Sequence, residues 1–583
     1  MRRLIFIPLL FISILASATI WYVAPTGDDS GAGTIGDPWK TWGFAFNTTN
    51  VQPGDTVYFR GGTYVKDMDE GIGWYYYPAR NQTSASGGTG YAITRDGTVD
   101  DTIKYWAYPD EVPILDCLTA YNTLNRLNYG IRATSVNYVH FKGLIIQNVK
   151  QPPGFGDGSG FGDAQAIGVA ISGTNLTVEN CTFRYMWGTG LEISGSTAPT
   201  YNYVINCDAH NCVDSLSTFQ PGNDGAGFRH KTGGQVFFKD CRAWFCGDQG
   251  WSNYAIEAAY ANQYTMYDGC WSFRNGILEG AGHGFKMDGI QYSDGNLKRT
   301  YVNCIAAYNR VNGFATFDYI RDTAVYAHVY NNISYHNGYQ GSISGYGYGF
   351  QIQNVSGSSD AQELRRIFKN NISYDNEIGQ IQVLAGAVYT HSNNSWDIPL
   401  TVTDAYFSSV DSTGLTGARQ SDGSLPNLNF LKLSSTSSAI DAGTDVGLPY
   451  EGAAPDLGAF EYDAPSPEEA AVSLITIGSA GSRNVSLQGN VIDDGGGTVS
   501  ARGIVYGESE NPIGNQTASG SGTGEFTVNI TGLTPETTYY FRAYATNEAG
   551  TAYSSNVSVT TAESFPVNNG GNWIIFGGKI IKW

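Results

Sequence analysis

The chain has 583 residues, more than one ordinary compact domain accommodates. Only 15% are charged, and 33 Lys and Arg against 53 Asp and Glu leave a net charge of −20. That balance argues against nucleic acid or an anionic membrane as the partner. The 74 glycines and 39 tyrosines suit a turn-rich all-β protein better than a helical one.

The first 18 residues read as a secretory signal. Arg2 and Arg3 form a positive region, Leu4–Leu15 an apolar run, and Ala16-Ser17-Ala18 a small-residue cleavage site. No later segment is apolar for long enough to span a bilayer. The expected product is secreted or attached to the cell surface, and monomeric. Export permits disulfides among the eight cysteines. Cys212–Cys246 is one candidate bridge; the alternative is a stack of small apolar residues in a regular core. No Cys-x-x-Cys pair occurs, which argues against zinc.

From Trp21 onward the chain reads as a solenoid. Residues 38–46, PWKTWGFAF, fit a short helix covering the open end, and PGDTVYFRGGTYV supplies the first strands. Phrases then recur around Cys181, Cys207, Cys241, Cys270, Cys304, Asn332 and Asn371, at intervals of 26, 34, 29, 34, 28 and 39 residues. Six are followed by a glycine-led apolar phrase: GLEI, GFRH, GWSN, GFKM, GFAT and GFQI. Short strands in an irregular repeat, with Gly and Asn at corners, predict a parallel β-helix. A propeller would need longer and more equal strands. Coils fade after Asn394, and the region to Tyr462 reads as a terminal or closing element.

Residues 463–467 read as a linker. Residues 468–562 alternate in polarity as a β-sandwich, and TPETTYYFRAYATNEAGTAYSS resembles fibronectin type III modules of secreted bacterial proteins. Residues 563–583 form an apolar, glycine-broken tail. The expected fold class is therefore all-β, a parallel β-helix over 19–462 followed by a small sandwich.

In the glycine-led strands side chains alternate in and out. With Leu191, Phe228, Trp251, Phe285, Phe314 and Phe350 inward, Glu192, Arg229, Ser252, Lys286, Ala315 and Gln351 point outward. Two residues on lie Ser194, Lys231, Tyr254, Asp288, Phe317 and Gln353. Arg229 and Lys286 then stand two coils apart, roughly 10 Å. Arg229, Lys231 and Lys286 make a basic cluster on an acidic chain, with Trp251 and Tyr254 as aromatic neighbours. Such a face fits an anionic polymer, with Arg229, Lys231, Trp251 and Tyr254 as binding residues. A lysine there could serve as the base in β-elimination from a uronic-acid polymer. Solvated strand charges are the plain alternative for each basic residue.

The segments WYVAPTGDDSGAGTIGDPWKTW, PGDTVYFRGGTY, INCDAHN, CRAWFCGDQGW, HGFKMDG and NGFATF together resemble the ninth polysaccharide lyase family, the pectate lyases of β-helix type. The resemblance runs from Trp21 to about Asn394. It implies a right-handed parallel β-helix, an acidic polysaccharide such as pectate as substrate, and Lys286 as the catalytic base. It also implies a Ca²⁺ held by four Asp. Here Asp248 matches one of them. Ala226, Gln249 and Ser252 stand at the others, with Asp224 two residues from the first. Ca²⁺ prefers several hard, charged oxygens. Asp248 and Asp224 are the metal candidates this sequence offers, with loop residues such as Asp214 as a way to rebuild the set, and Arg229 is a candidate to neutralise the substrate carboxylate instead. His283 reads first as a stacked corner residue. The same features are compatible with a second class, a non-catalytic β-helix adhesin. A hydrolase with paired carboxylates finds no such pair on the outward column.

Overall fold

The computed structural model describes residues 18–66, 89–118, 128–151, 166–195, 201–216, 221–231, 233–253, 263–288, 297–317, 325–339, 345–353, 366–463, 467–476, 480–564, 573–576 and 579–582. The signal read over residues 1–18 lies, except for its last residue, outside that set. The chain divides into two compact units, Met1–Tyr462 and Asp463–Trp583.

The first unit is built from coils of short parallel strands. Corner residues explain the winding. Asn180, Asn206, Asp240, Asn303, Asn331 and Asn370 all adopt left-handed φ of 51° to 58°, and Gly269 takes φ 64° at the equivalent place. Asn and Asp tolerate this region better than most residues, so each marks a bend before the next three-residue strand. These strands include Thr182–Arg184, Asp208–His210, Arg242–Trp244, Trp271–Phe273 and Ile305–Ala307, all in one parallel ten-stranded sheet. The other two faces merge into a larger parallel sheet through the long strands Asn128–Lys142 and Ala166–Glu179.

The core is a set of ladders. Phe228, Trp251, Phe285, Phe314 and Phe350 stack on successive coils, with ring centroids 5.1, 4.8, 4.8 and 4.9 Å apart. All eight cysteines are buried free thiols, so the Cys212–Cys246 bridge is not formed. A second ladder runs through amides. Asn275 Nδ2 donates to Asn309 Oδ1 at 2.9 Å, Asn309 to Asn337 at 3.0 Å, and Asn337 to Asn376 at 2.9 Å. It satisfies buried polar groups that a turning backbone would leave without partners.

The glycines that lead the strands are required by contact. A Cβ on Gly284 would lie 2.6 Å from the Gly313 carbonyl oxygen and 2.9 Å from both the Ala306 Cβ and Asn309 Nδ2. Gly190 meets the Gly227 oxygen at 2.6 Å in the same way.

The end-covering helix spans Trp42–Asn47, with Thr41 Oγ1 accepting from the Phe44 N–H at 3.1 Å. Trp42 packs on Phe59 of the first coil, their rings 4.4 Å apart. The segment after Asn394 lies along a side of the solenoid. Phe407, Leu415, Phe430, Leu433 and Leu457 pack on Trp244, Phe273, Ile305, Ile333 and Ile372 of the ten-stranded sheet. Arg419 fastens it through a 2.7 Å ion pair with Asp208.

The second unit holds two antiparallel sheets, one of Ala471–Thr476, Asn484–Asp493 and Gly524–Thr531, the other built around Ala501–Gly507 and Thr538–Asn547. Leu487 and Phe526 from one meet Ile504 and Phe541 from the other in one core, which makes a β-sandwich. Strands Trp573–Phe576 and Lys579–Lys582 form a separate hairpin.

Candidate active site

The outward column follows from strand register. Arg132 pairs with Ala170, Ala170 with Glu192, Glu192 with Arg229, Arg229 with Ser252, Ser252 with Lys286, Lys286 with Ala315, Ala315 with Gln351 and Gln351 with Gln382. On the other face of the same strands Phe285 and Met287 are fully buried, so the intervening Lys286 faces out of the core. It is half-buried. Its neighbours Ser252 and Ala315 are small and closed off from solvent. A long side chain between two short ones has room to extend.

Arg229 and Lys231 stand where the alternation puts them, but they share an acidic partner. Lys231 Nζ lies 3.1 Å from Glu192 Oε2, and Arg229 Nη1 lies 3.7 Å from the same oxygen. Burial pushes the Glu192 carboxyl up, yet Lys231, then Arg229 and Arg132, outweigh burial and hold it below the usual range. Glu192 is therefore ionised at neutral pH. The basic cluster is a mixed-charge network, more balanced than three cations on one face.

Trp251 is corrected. It is 1% exposed and sandwiched between Phe228 and Phe285, so it belongs to the core ladder and cannot touch a ligand on the outward face. The inward half of the alternation decides its place, and stacking energy keeps it there. Tyr254 lies outside the described residues. So do the side chains of Asp288 and Phe317.

Asp248 is buried and accepts the Ala281 N–H at 3.0 Å. Asp224 is half-buried, and its main-chain carbonyl accepts from Thr189 Oγ1 at 3.2 Å and from Arg229 Nη2 at 3.4 Å. The coil positions between these loops carry Ala226, Gln249 and His283, all buried, and none supplies a carboxylate. Among the described residues no group of three or more His, Cys, Asp or Glu is placed to hold a metal ion. The donor set does not fit a calcium ion, which needs more charged oxygens than two separated carboxylates offer.

His283 sits next to this network. Burial first, and then the positive charge of Lys286, pushes its imidazole down to about 3. It stays neutral at neutral pH, so this corner residue offers no imidazolium acid there.

Arg132 escaped the sequence reading although its signal was present. Gly130-Ile131-Arg132 and Gly168-Val169-Ala170 extend the glycine-led frame upstream. At the opposite end, Gln351 Nε2 donates to Gln382 Oε1 at 2.6 Å, which closes the column with an amide pair.

Residues 21–347 match the family model described as the Pel9A-like, right-handed β-helix region. The chain belongs to this family. Pectate lyase L of Dickeya dadantii (strain 3937) is 29% identical over 455 residues, covering 77% of this chain and 91% of that protein. Pectate lyase L of Paenibacillus polymyxa (strain SC2) is 27% identical over 424 residues, covering 68% and 78%. The crystal structure of pectate lyase Pel9A superposes with a TM-score of 0.55 at 26% identity, over 77% of this chain and 97% of that one. The Pel9A-like chain is accordingly a right-handed parallel β-helix and a polysaccharide lyase.

Proposed function

We propose that this protein is an exported lyase that cleaves a pectate-like uronic-acid polymer by β-elimination, with the Lys286 amine as base. The observation that carries the reading is the single lysine of the outward column, flanked in register by Ser252 and Ala315. In its unprotonated form the amine takes the proton on the sugar carbon next to the carboxylate. The electron pair left behind forms a double bond to the adjacent carbon, and the glycosidic oxygen on that carbon departs with its half of the chain. Solvent returns a proton to that oxygen. The proton at stake is weakly acidic, and a cation near the carboxylate eases its removal.

Arg229 is the group suited to that second task. Its planar fork matches a carboxylate, and it stands two coils from Lys286 with only Ser252 between them. Neutralisation by Arg229 assigns no step to a metal. The outward column runs along stacked coils, which suits an extended polymer. We read the sandwich unit, fibronectin-like in sequence, as a spacer or adhesive module.

The reading is tested by incubating the full mature chain with polygalacturonate, alginate and rhamnogalacturonan and following ultraviolet absorbance of unsaturated chain ends. The expected result is a rise with at least one uronate polymer and one new reducing end for each unsaturated end. Reducing ends without unsaturation would mean hydrolysis and would reject the elimination. Retention of the protein by these polymers with no new ends of either kind would mark a binding protein.

A further inference from the structure

We propose that Glu192 is a positioning residue of the groove, holding Arg229 and Lys231 in place while lowering the grip of the groove on an anionic chain. The inference rests on the functional reading above. A carboxylate on a face meant for a polyanion repels its ligand, so its presence there calls for a compensating role. Glu192 lies between Leu191 and Ile193, both fully buried, and so faces out of the core with Arg229 and Lys286. Its own side chain is 12% exposed, that of Arg229 8% and that of Lys231 30%. Glu192 and Arg229 are thus largely closed off from solvent, where screening by salt is weak, while Lys231 is partly exposed.

The geometry of the pairs differs. Lys231 Nζ donates to both Glu192 oxygens, at 3.2 and 3.1 Å. Arg229 Nη1 stays at 3.7 Å, an ion pair without a hydrogen bond. Glu192 therefore engages Lys231 fully and steadies Arg229 by charge. Arg132, two coils away through Ala170, adds to the positive potential on the same carboxylate. Taken together, Arg229, Lys231 and Glu192 carry one net positive charge. Without Glu192 they would carry two. A polymer that must move along the groove after each cut benefits from the smaller value, because release slows as charge contacts accumulate.

The test uses the full chain as wild type, Glu192→Gln, Glu192→Asp and Lys231→Met. Affinity electrophoresis through gels containing polygalacturonate, with Lys286→Ala added to each protein to silence turnover, reads binding, and unsaturated ends made by the proteins without that change read kcat and KM over a range of salt. Glu192→Gln is expected to bind about tenfold tighter at low salt, with a steeper salt dependence and a lower kcat. Glu192→Asp keeps the charge, so its salt dependence stays as in wild type while kcat falls. Lys231→Met shifts the opposite way, with weaker binding and a shallower salt dependence, and it serves even if Glu192→Gln does not fold. Wild-type retention and salt dependence in both Glu192→Gln and Lys231→Met, with only thermal stability changed, overturns the inference and leaves the lyase reading standing. A wild-type protein that is retained but makes no unsaturated ends, while the variants shift as expected, overturns the lyase reading instead. No retention of wild type together with no unsaturated ends overturns both.

Discussion

Glu192 and Arg229 pair in register on adjacent coils, and their charged ends approach to 3.7 Å at the floor of the outward column. Arg229 is thus held beside a carboxylate of the protein before any carboxylate of a ligand arrives. Its substitution separates charge from shape. Arg229→Lys keeps the charge and loses the planar fork, whereas Arg229→Met loses both. Steady-state kinetics should show kcat/KM falling about a hundredfold in Arg229→Met and less in Arg229→Lys, the size expected for a preorganised group at developing charge. Equal activity in all three proteins would exclude Arg229 from the reaction.

Removing divalent metal should leave the activity intact. Ala226, Gln249 and Ser252 supply no carboxylate, and Asp248 is engaged by the Ala281 N–H. Initial rates measured with excess chelator, and again after adding back Ca²⁺, are expected to agree within a factor of about two, since no described cluster could concentrate the ion. Loss on chelation and recovery with Ca²⁺ would mean that a cation site is assembled after all, and Asp224→Asn with Asp248→Asn would then be the variants to locate it.

How far could this site be read from sequence? The glycine-led frame separates inside from outside because coil after coil repeats it, so the columns through Phe285 and Lys286 are legible at once. Trp251 shows how composition can mislead. An aromatic beside cations suggests a ligand platform, yet its own position in the alternation puts it between Phe228 and Phe285. The pairing of Lys231 with Glu192 is not legible, because both are long side chains whose meeting depends on rotamers and not on spacing. Likewise the apolar residues from Phe407 to Leu457 follow no period, so their packing along the ten-stranded sheet emerges only in three dimensions.

Acid should destabilise the fold partly through His283. Its folded value, about 3, lies below the ordinary value of 6.5, so the unfolded chain binds more protons between those limits. The contribution is fully present above pH 6.5 and is lost as pH falls towards 3. Melting temperatures across that window should decline less steeply in His283→Asn than in wild type. Identical slopes would show that the imidazole does not titrate as its burial implies.

The close approach at the strand-leading corner makes its own stability forecast. In Gly284→Ala the new methyl group meets the Gly313 carbonyl oxygen, Ala306 and the amide ladder at Asn309, none of which can retreat within stacked coils. Chemical denaturation is expected to show a loss of about 1–3 kcal/mol, as for other overpacked sites. A neutral result would mean that the coils spread more easily than their register suggests.

The central claim concerns one amine, and Lys286→Ala tests it most directly. Formation of unsaturated ends by wild type and variant should be compared alongside their retention by the same polymer and their melting temperatures. The account predicts that elimination disappears while retention and melting temperature stay close to wild type. Undiminished formation of unsaturated ends by the alanine variant would contradict it.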